Sequence, residues 1–156
     1  YTDVLGLTTE ILKKMGEIKL VAGGPLCEDF SKKRLLPDYY GNVPATDPRP
    51  GLNGKKGRTF RAAIKVWQMV QSMWPRAALL FENVPFSDMA KDWEEVCAAI
   101  GQPVILNAAD YSMTQRVRAY WISFPVPAKA LVPDSVQRDW NSCMDKGRQL
   151  VTKYSL

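Results

Sequence analysis

Two short apolar runs, at residues 18–22 and 77–81, and two further strand candidates, 104–106 and 117–122, alternate with segments whose apolar residues recur at helical spacing. Continuous apolar runs of this length read as strands buried on both faces. Ile11, Leu12 and Met15 give one apolar side to a short helix that Thr8 can cap. Phe60, Ala63, Ile64, Trp67, Val70 and Trp74 predict a longer helix over 58–74. Met89, Trp93, Val96, Cys97 and Ile100 predict another, stopped by Gly101 and Pro103, and Val136, Trp140, Cys143, Leu150 and Tyr154 line a last one. Strands and helices in alternation predict an α/β fold, a mostly parallel sheet with helices on both faces. Ligands of such sheets sit beyond the carboxyl ends of the strands.

Three stretches fall at that edge: Gly23-Gly24-Pro25-Leu26-Cys27, Phe81-Glu82-Asn83-Val84 and Gln115-Arg116-Val117-Arg118. They bring a thiol, a carboxyl and two guanidiniums. Cys27 follows a strand and a Gly-Gly turn, where a thiolate is accessible and close to backbone N–H groups. Glu82 ends an apolar strand, a costly place for a carboxylate unless it is paired or functional. Asn83 can tie strand and loop together through side-chain-to-backbone bonds. Arg116 and Arg118 alternate along one strand and so share a face. Cys97 and Cys143 lie on apolar helix faces and read as packing residues. Gly51, Gly54 and Gly57 lack the Gly-Lys-Ser/Thr ending of a phosphate loop.

With 156 residues the chain is one domain's worth, and its net charge of +5 favours a polyanionic partner. It has no histidine and three widely spaced cysteines, so a zinc site or a Cys/His catalytic pair lacks ligands, no metal is expected, and an intracellular, reducing compartment is the default. No apolar run is long enough to span a bilayer. The irregular stretch 30–57 is long enough to be functional, and it carries basic residues.

With these residues in place, a family resemblance can be stated. Gly23 to Cys27 resembles the Pro-Cys motif of the DNA cytosine-5 methyltransferases, with Leu26 where the family has proline. Glu82-Asn83-Val84 matches their Glu-Asn-Val motif. Arg116-Val117-Arg118-Ala119-Tyr120-Trp121 resembles the Arg-x-Arg strand of the animal de novo-type enzymes. Thr2-Asp3-Val4 resembles the third motif, and Arg49-Pro50-Gly51-Leu52 with Gly57-Arg58-Thr59-Phe60 the close of the catalytic loop. Cys143-Met144-Asp145-Lys146-Gly147-Arg148 resembles the lead into target recognition.

The resemblance implies part of a doubly wound, Rossmann-like methyltransferase fold that uses S-adenosyl-L-methionine. Residues 1–127 would be its central catalytic part and 128–156 a helix leading into a recognition region. The Gly-rich first motif would precede Tyr1, so the piece alone is expected to be inactive. The family's chemistry implies that Cys27 adds to C6 of a flipped cytosine in double-stranded DNA, Glu82 hydrogen-bonds N3, and Arg116 and Arg118 steady O2 and the backbone. Asp3, Val4 and Leu26 would meet the cofactor. Ser31, Lys32, Lys33, Arg34 and Arg49, on the loop, would meet DNA. The implied location is the nucleus in a eukaryote, or the cytoplasm in a prokaryote or virus. Two other readings stay open: an inactive methyltransferase-like regulatory protein, and a tRNA cytosine-5 methyltransferase.

Overall fold

The computed structural model describes residues 3–37, 41–44, 46–110 and 114–127. The chain forms two compact units, Tyr1–Leu106 with Val117–Pro125, and Asn107–Arg116 with Val126–Leu156. The helix expected around residues 136–154 and the whole of segment 128–156 lie outside the described residues.

In the first unit, a single 3-10 turn at Val4–Gly6 leads into helix α1, Thr9–Lys14. The Thr8 hydroxyl accepts from the Ile11 N–H at 3.4 Å, the expected cap, and Leu12 is buried. Strand β1 is Leu20–Gly23, helix α2 Arg58–Met73, strand β2 Ala78–Asn83, helix α3 Ala90–Ile100, strand β3 Val104–Asn107 and strand β4 Val117–Ile122. Helix α2 buries Phe60, Ala62, Ile64, Val66, Trp67 and Val70. Its inward stripe therefore leans toward Ala62 and Val66, and leaves Ala63 and Trp74 half-buried. Gly101 ends α3 with φ +88°, a left-handed value that side chains disfavour.

The sheet order is β1-β2-β4-β3. Strands β1 and β2 are parallel, with Gly23 opposite Phe81. Strands β2 and β4 are antiparallel, with Phe81 opposite Trp121 and Glu82 opposite Tyr120. The expectation of a mostly parallel sheet is corrected here: β4 inserts between β2 and β3 against the direction of β2. Ser123 closes that pair, exchanging bonds with the Leu79 N–H and carbonyl.

Residues opposite each other on neighbouring strands share a face. Phe60 of α2 meets Phe81 and Trp121 edge-on, with centroids 6.2 and 5.4 Å away, and Trp93 of α3 lies 5.6 Å from Trp121. Among the described residues both long helices thus cover one face, where helices on both faces were expected. The other face carries Leu80, Glu82, Arg118, Tyr120 and Ile122, all half-buried. Each fully buried Phe contributes about 1.5–3 kcal/mol of transfer energy, so Phe30, Phe60, Phe81 and Phe86, all at most 2% exposed, dominate the covered side.

The loop before α2 is drawn tight by glycine. Gly51 sits at φ +57°, and a Cβ on Gly57 would overlap the carbonyl oxygen of Gly51. Backbone cannot yield as a side-chain tip does. Gly57→Ala is therefore expected to cost the upper part of the ~1–3 kcal/mol typical of overpacking. Chemical denaturation should show a lower midpoint with an unchanged slope; an unaltered midpoint would mean the loop is slack.

Candidate functional site

The carboxyl ends of β1 and β2 lie side by side because the strands are parallel and in register at Gly23 and Phe81. Beyond Gly23 the chain turns through Gly24, Pro25 and Leu26 to Cys27. Asn83, 1% exposed, donates from Nδ2 to the Pro25 carbonyl at 3.0 Å and accepts at Oδ1 from the Val84 N–H at 2.8 Å. The end of β2 thus holds the turn by its backbone, as the sequence suggested. Gly24 packs against Glu82, close enough that a Cβ there would come within 3.2 Å of Oε2.

The Cys27 thiol is free and half-buried. Its carbonyl accepts from the N–H groups of Phe30 and Ser31 at 3.0 and 2.9 Å, which closes a turn. Phe30 anchors that turn in the core, stacked 4.5 Å from Phe86 and edge-on to Phe60. Cys97 has the packing role expected of it: burial pushes its thiol pKa up, with the Trp121 indole pulling weakly the other way.

Glu82 alternates away from Phe81 and Asn83 onto the less covered face. Its Oε1 lies 2.6 Å from Nε of Arg118, the two side chains 33% and 17% exposed. Arg118 also donates from Nη1 to the Val117 carbonyl at 2.7 Å. Glu82 and Arg118 are therefore brought together as a pair, beside the glycine turn that leads to Cys27. Arg116 stands just before β4 and belongs to the second unit. There its N–H donates to Asn107 Oδ1 at 3.1 Å and its carbonyl accepts from the Ala108 N–H at 3.0 Å.

A cavity of about 560 Å3 opens along the same turn. Asp3, Val4 and Leu26, the three residues expected at a cofactor, all line it, with Gly23, Pro25 and Phe81 among its other walls. Asp3 Oδ1 accepts from the Leu5 N–H at 2.9 Å, capping the first 3-10 turn. Thr59, Ala63 and Val66 of α2 complete the wall. Sequence reasoning did not place them at a cofactor, because Ala63 read only as part of the packing stripe and Thr59 and Val66 lay beside it.

The long loop divides into buried and exposed parts. Arg49, expected on DNA, is instead internal: its side chain is 3% exposed, and Nη2 pairs with Asp47 at 2.6 Å and Asp88 at 2.9 Å. Nη1 reaches the Phe30 carbonyl at 3.3 Å. A guanidinium desolvated and shared between two carboxylates has little left for a phosphate. Ser31 caps the 3-10 turn Lys32–Leu35, accepting from the Lys33 N–H at 3.3 Å. Lys32 and Lys33 are exposed, Lys32 at 3.7 Å from Asp88, and Arg34 reaches Asp29 at 3.4 Å. Asp29 itself is 3% exposed, and its Oδ2 accepts from the N–H groups of Lys56 and Gly57, both at 2.8 Å. The N–H groups of this glycine loop are thus taken by the chain's own carboxylate, in keeping with the absence of a phosphate-loop ending.

Arg49 gives its cluster an acid limit. Its side-chain and backbone hydrogen bonds bring the Asp47 carboxyl down to about 2. Burial pushes the Asp88 carboxyl up, but Arg49's hydrogen bond and charge, with Lys32 beyond, outweigh it and hold the group below the usual range. Carboxylates depressed in the folded state stabilise it above their ordinary pKa, and that stabilisation is lost as pH falls through the depressed value. The clamp is expected to hold at pH 5 and to loosen as pH falls from about 4 toward 2. An Arg49 Hε resonance followed by NMR reports it; its loss already near pH 5 would contradict the pairing.

No protein-family model matches the chain, and no curated protein matches it. Among solved structures, the methyltransferase EhMeth of Entamoeba histolytica superposes on 88% of this chain with a TM-score of 0.54 and 10% sequence identity. The chain spans 42% of that protein's length. At such identity the likeness speaks to the fold: a mixed α/β, methyltransferase-like arrangement.

Proposed function

We propose that this chain is the central catalytic part of a DNA (cytosine-5) methyltransferase using S-adenosyl-L-methionine. One observation carries the reading. A thiol-bearing turn is held by Asn83 next to the Glu82–Arg118 pair, at the carboxyl end of parallel strands and along a cavity. The cavity suits the methyl donor in kind: its volume lies within the ~300–1,000 Å3 of small-molecule sites, and its walls are mostly apolar with one carboxylate, Asp3. Asp3, Val4, Val21, Pro25, Leu26 and Phe81 would hold the donor, which supplies an electrophilic methyl group when bound.

The chain's own residues do the rest. Cys27, as thiolate, adds to C6 of a flipped cytosine and pushes electron density to C5. Glu82 hydrogen-bonds N3, stabilising the charge that develops on the ring. Arg118 orients the Glu82 carboxyl through its Nε contact. Once C5 carries the methyl group it gives up its proton to solvent water, the C5–H electron pair re-forms the C5–C6 double bond, and Cys27 leaves as thiolate. Lys32 and Lys33, exposed on their turn, are among the loop cations that would meet phosphates.

An inactive regulator would have no need for this set, and Cys27, Glu82 and Arg118 are all retained. An RNA enzyme would share the chemistry. The deciding experiment offers labelled methyl donor with duplex DNA and with tRNA to the full-length protein. Label is expected on cytosine C5 of DNA. Label on tRNA alone would move the substrate to RNA, and label on neither would leave a non-catalytic role.

A further inference from the structure

We propose that Asp29 is a positioning residue that fixes the Cys27 turn to the start of α2, and so sets the direction of the thiol. The inference rests on reading Cys27 as the nucleophile. Asp29 sits two residues beyond Cys27, inside the turn that Phe30 and Ser31 close on the Cys27 carbonyl. Its side chain is 4% exposed, and burying a carboxylate is unfavourable unless its oxygens are fully engaged. They are engaged on both sides of the loop. Oδ2 takes the N–H groups of Lys56 and Gly57 at 2.8 Å, Oδ1 faces Arg34 Nη2 at 3.4 Å, and the Asp29 carbonyl accepts from the Gly51 N–H at 3.1 Å.

The entrance and the exit of the 31–50 excursion therefore meet at one residue. An attacking sulfur tolerates little displacement, since about 1 Å of misplacement can cost on the order of a hundredfold in rate. Phe30 holds the same turn from the core side, but as an apolar anchor it fixes depth rather than direction. The carboxylate supplies the direction, because its two N–H partners are backbone groups at the head of a sixteen-residue helix. An asparagine keeps the shape, yet its amide oxygen alone must serve both N–H groups, or its NH2 must face one of them.

The test uses the full-length protein and three measurements. Iodoacetamide alkylation of Cys27, located by mass spectrometry without DNA, reads the thiol's setting independently of methyl transfer. Asp29→Asn is expected to change that rate at least about fivefold, while Cys97 stays unmodified. In steady-state transfer to DNA, kcat is expected to fall at least about thirtyfold with KM for DNA within about threefold. Hydrogen exchange on the unaltered protein keeps the test open should the variant not fold. The amides of Phe30, Ser31, Gly51, Lys56 and Gly57 are expected to exchange slowly and together. A folded Asp29→Asn with unaltered alkylation and kcat overturns the inference, and so do Lys56 and Gly57 amides that exchange at loop rates. A protein that labels no nucleic acid sinks the methyltransferase reading instead, and the alkylation and exchange results still decide the role of Asp29.

Discussion

Cys27→Ser in the full-length protein is expected to abolish methyl transfer, a loss on the order of 10^4 or more if it follows other removed nucleophiles. A serine hydroxyl is a far weaker nucleophile than a thiolate at neutral pH, and no histidine exists anywhere in the chain to activate it. The same change should end covalent trapping on DNA containing 5-fluorocytosine, whose fluorine blocks the final loss of a proton from C5. Geometry favours an activity loss without collapse, because Cys27 is half-buried and its turn is held by Phe30 and by the Asn83–Pro25 bond rather than by the sulfur. Cys97→Ser provides the contrast. That thiol is buried on α3, and the change should lower stability while leaving trapping intact. Trapping of the Cys27→Ser protein would assign the attack to another residue.

Much of this was legible in the sequence because it is written in local patterns. The Thr8 cap, the stripes of α2 and α3, the Gly101 stop and the four strands follow from periodicity and turn chemistry, and they lie within two or three residues of the expected bounds. The Asn83 tie could be read from a short polar group next to a strand end. Strand direction could not. Apolar runs that alternate with helices fit a parallel sheet equally well, and only the pairing of Trp121 with Phe81 shows β4 running back between its neighbours. Charge was the other limit. Arg49 and Lys32 carry the same sign in the sequence, yet Asp88, distant along the chain, contacts both while only the arginine is buried. Asp29 left one trace, a carboxylate next to the aromatic Phe30, two residues after the cysteine. What it holds, the backbone of Lys56 and Gly57, is invisible until the loop closes.

Glu82→Gln is expected to slow methyl transfer at least about a hundredfold, within the ~10^2–10^4 range for losing a positioned proton-transfer group. Glutamine nearly matches the shape, so Gly24 keeps its close approach and the strand its register. Two things change. The group facing the base can no longer exchange a proton with N3, and Arg118, only 17% exposed, loses its counter-charge at 2.6 Å. The second effect gives a control. If Glu82 serves only to satisfy Arg118, the double variant Glu82→Gln/Arg118→Gln should recover most of the rate, since the unpaired cation is gone. If Glu82 acts on the base, the double variant stays as slow as Glu82→Gln alone. Donor binding should hardly move in either case, because neither Glu82 nor Arg118 lines the cavity beside Asp3 and Leu26. A Glu82→Gln enzyme turning over at nearly the original rate would return the carboxylate to a purely structural partner of Arg118, and with it the claim that this strand end is where cytosine chemistry happens.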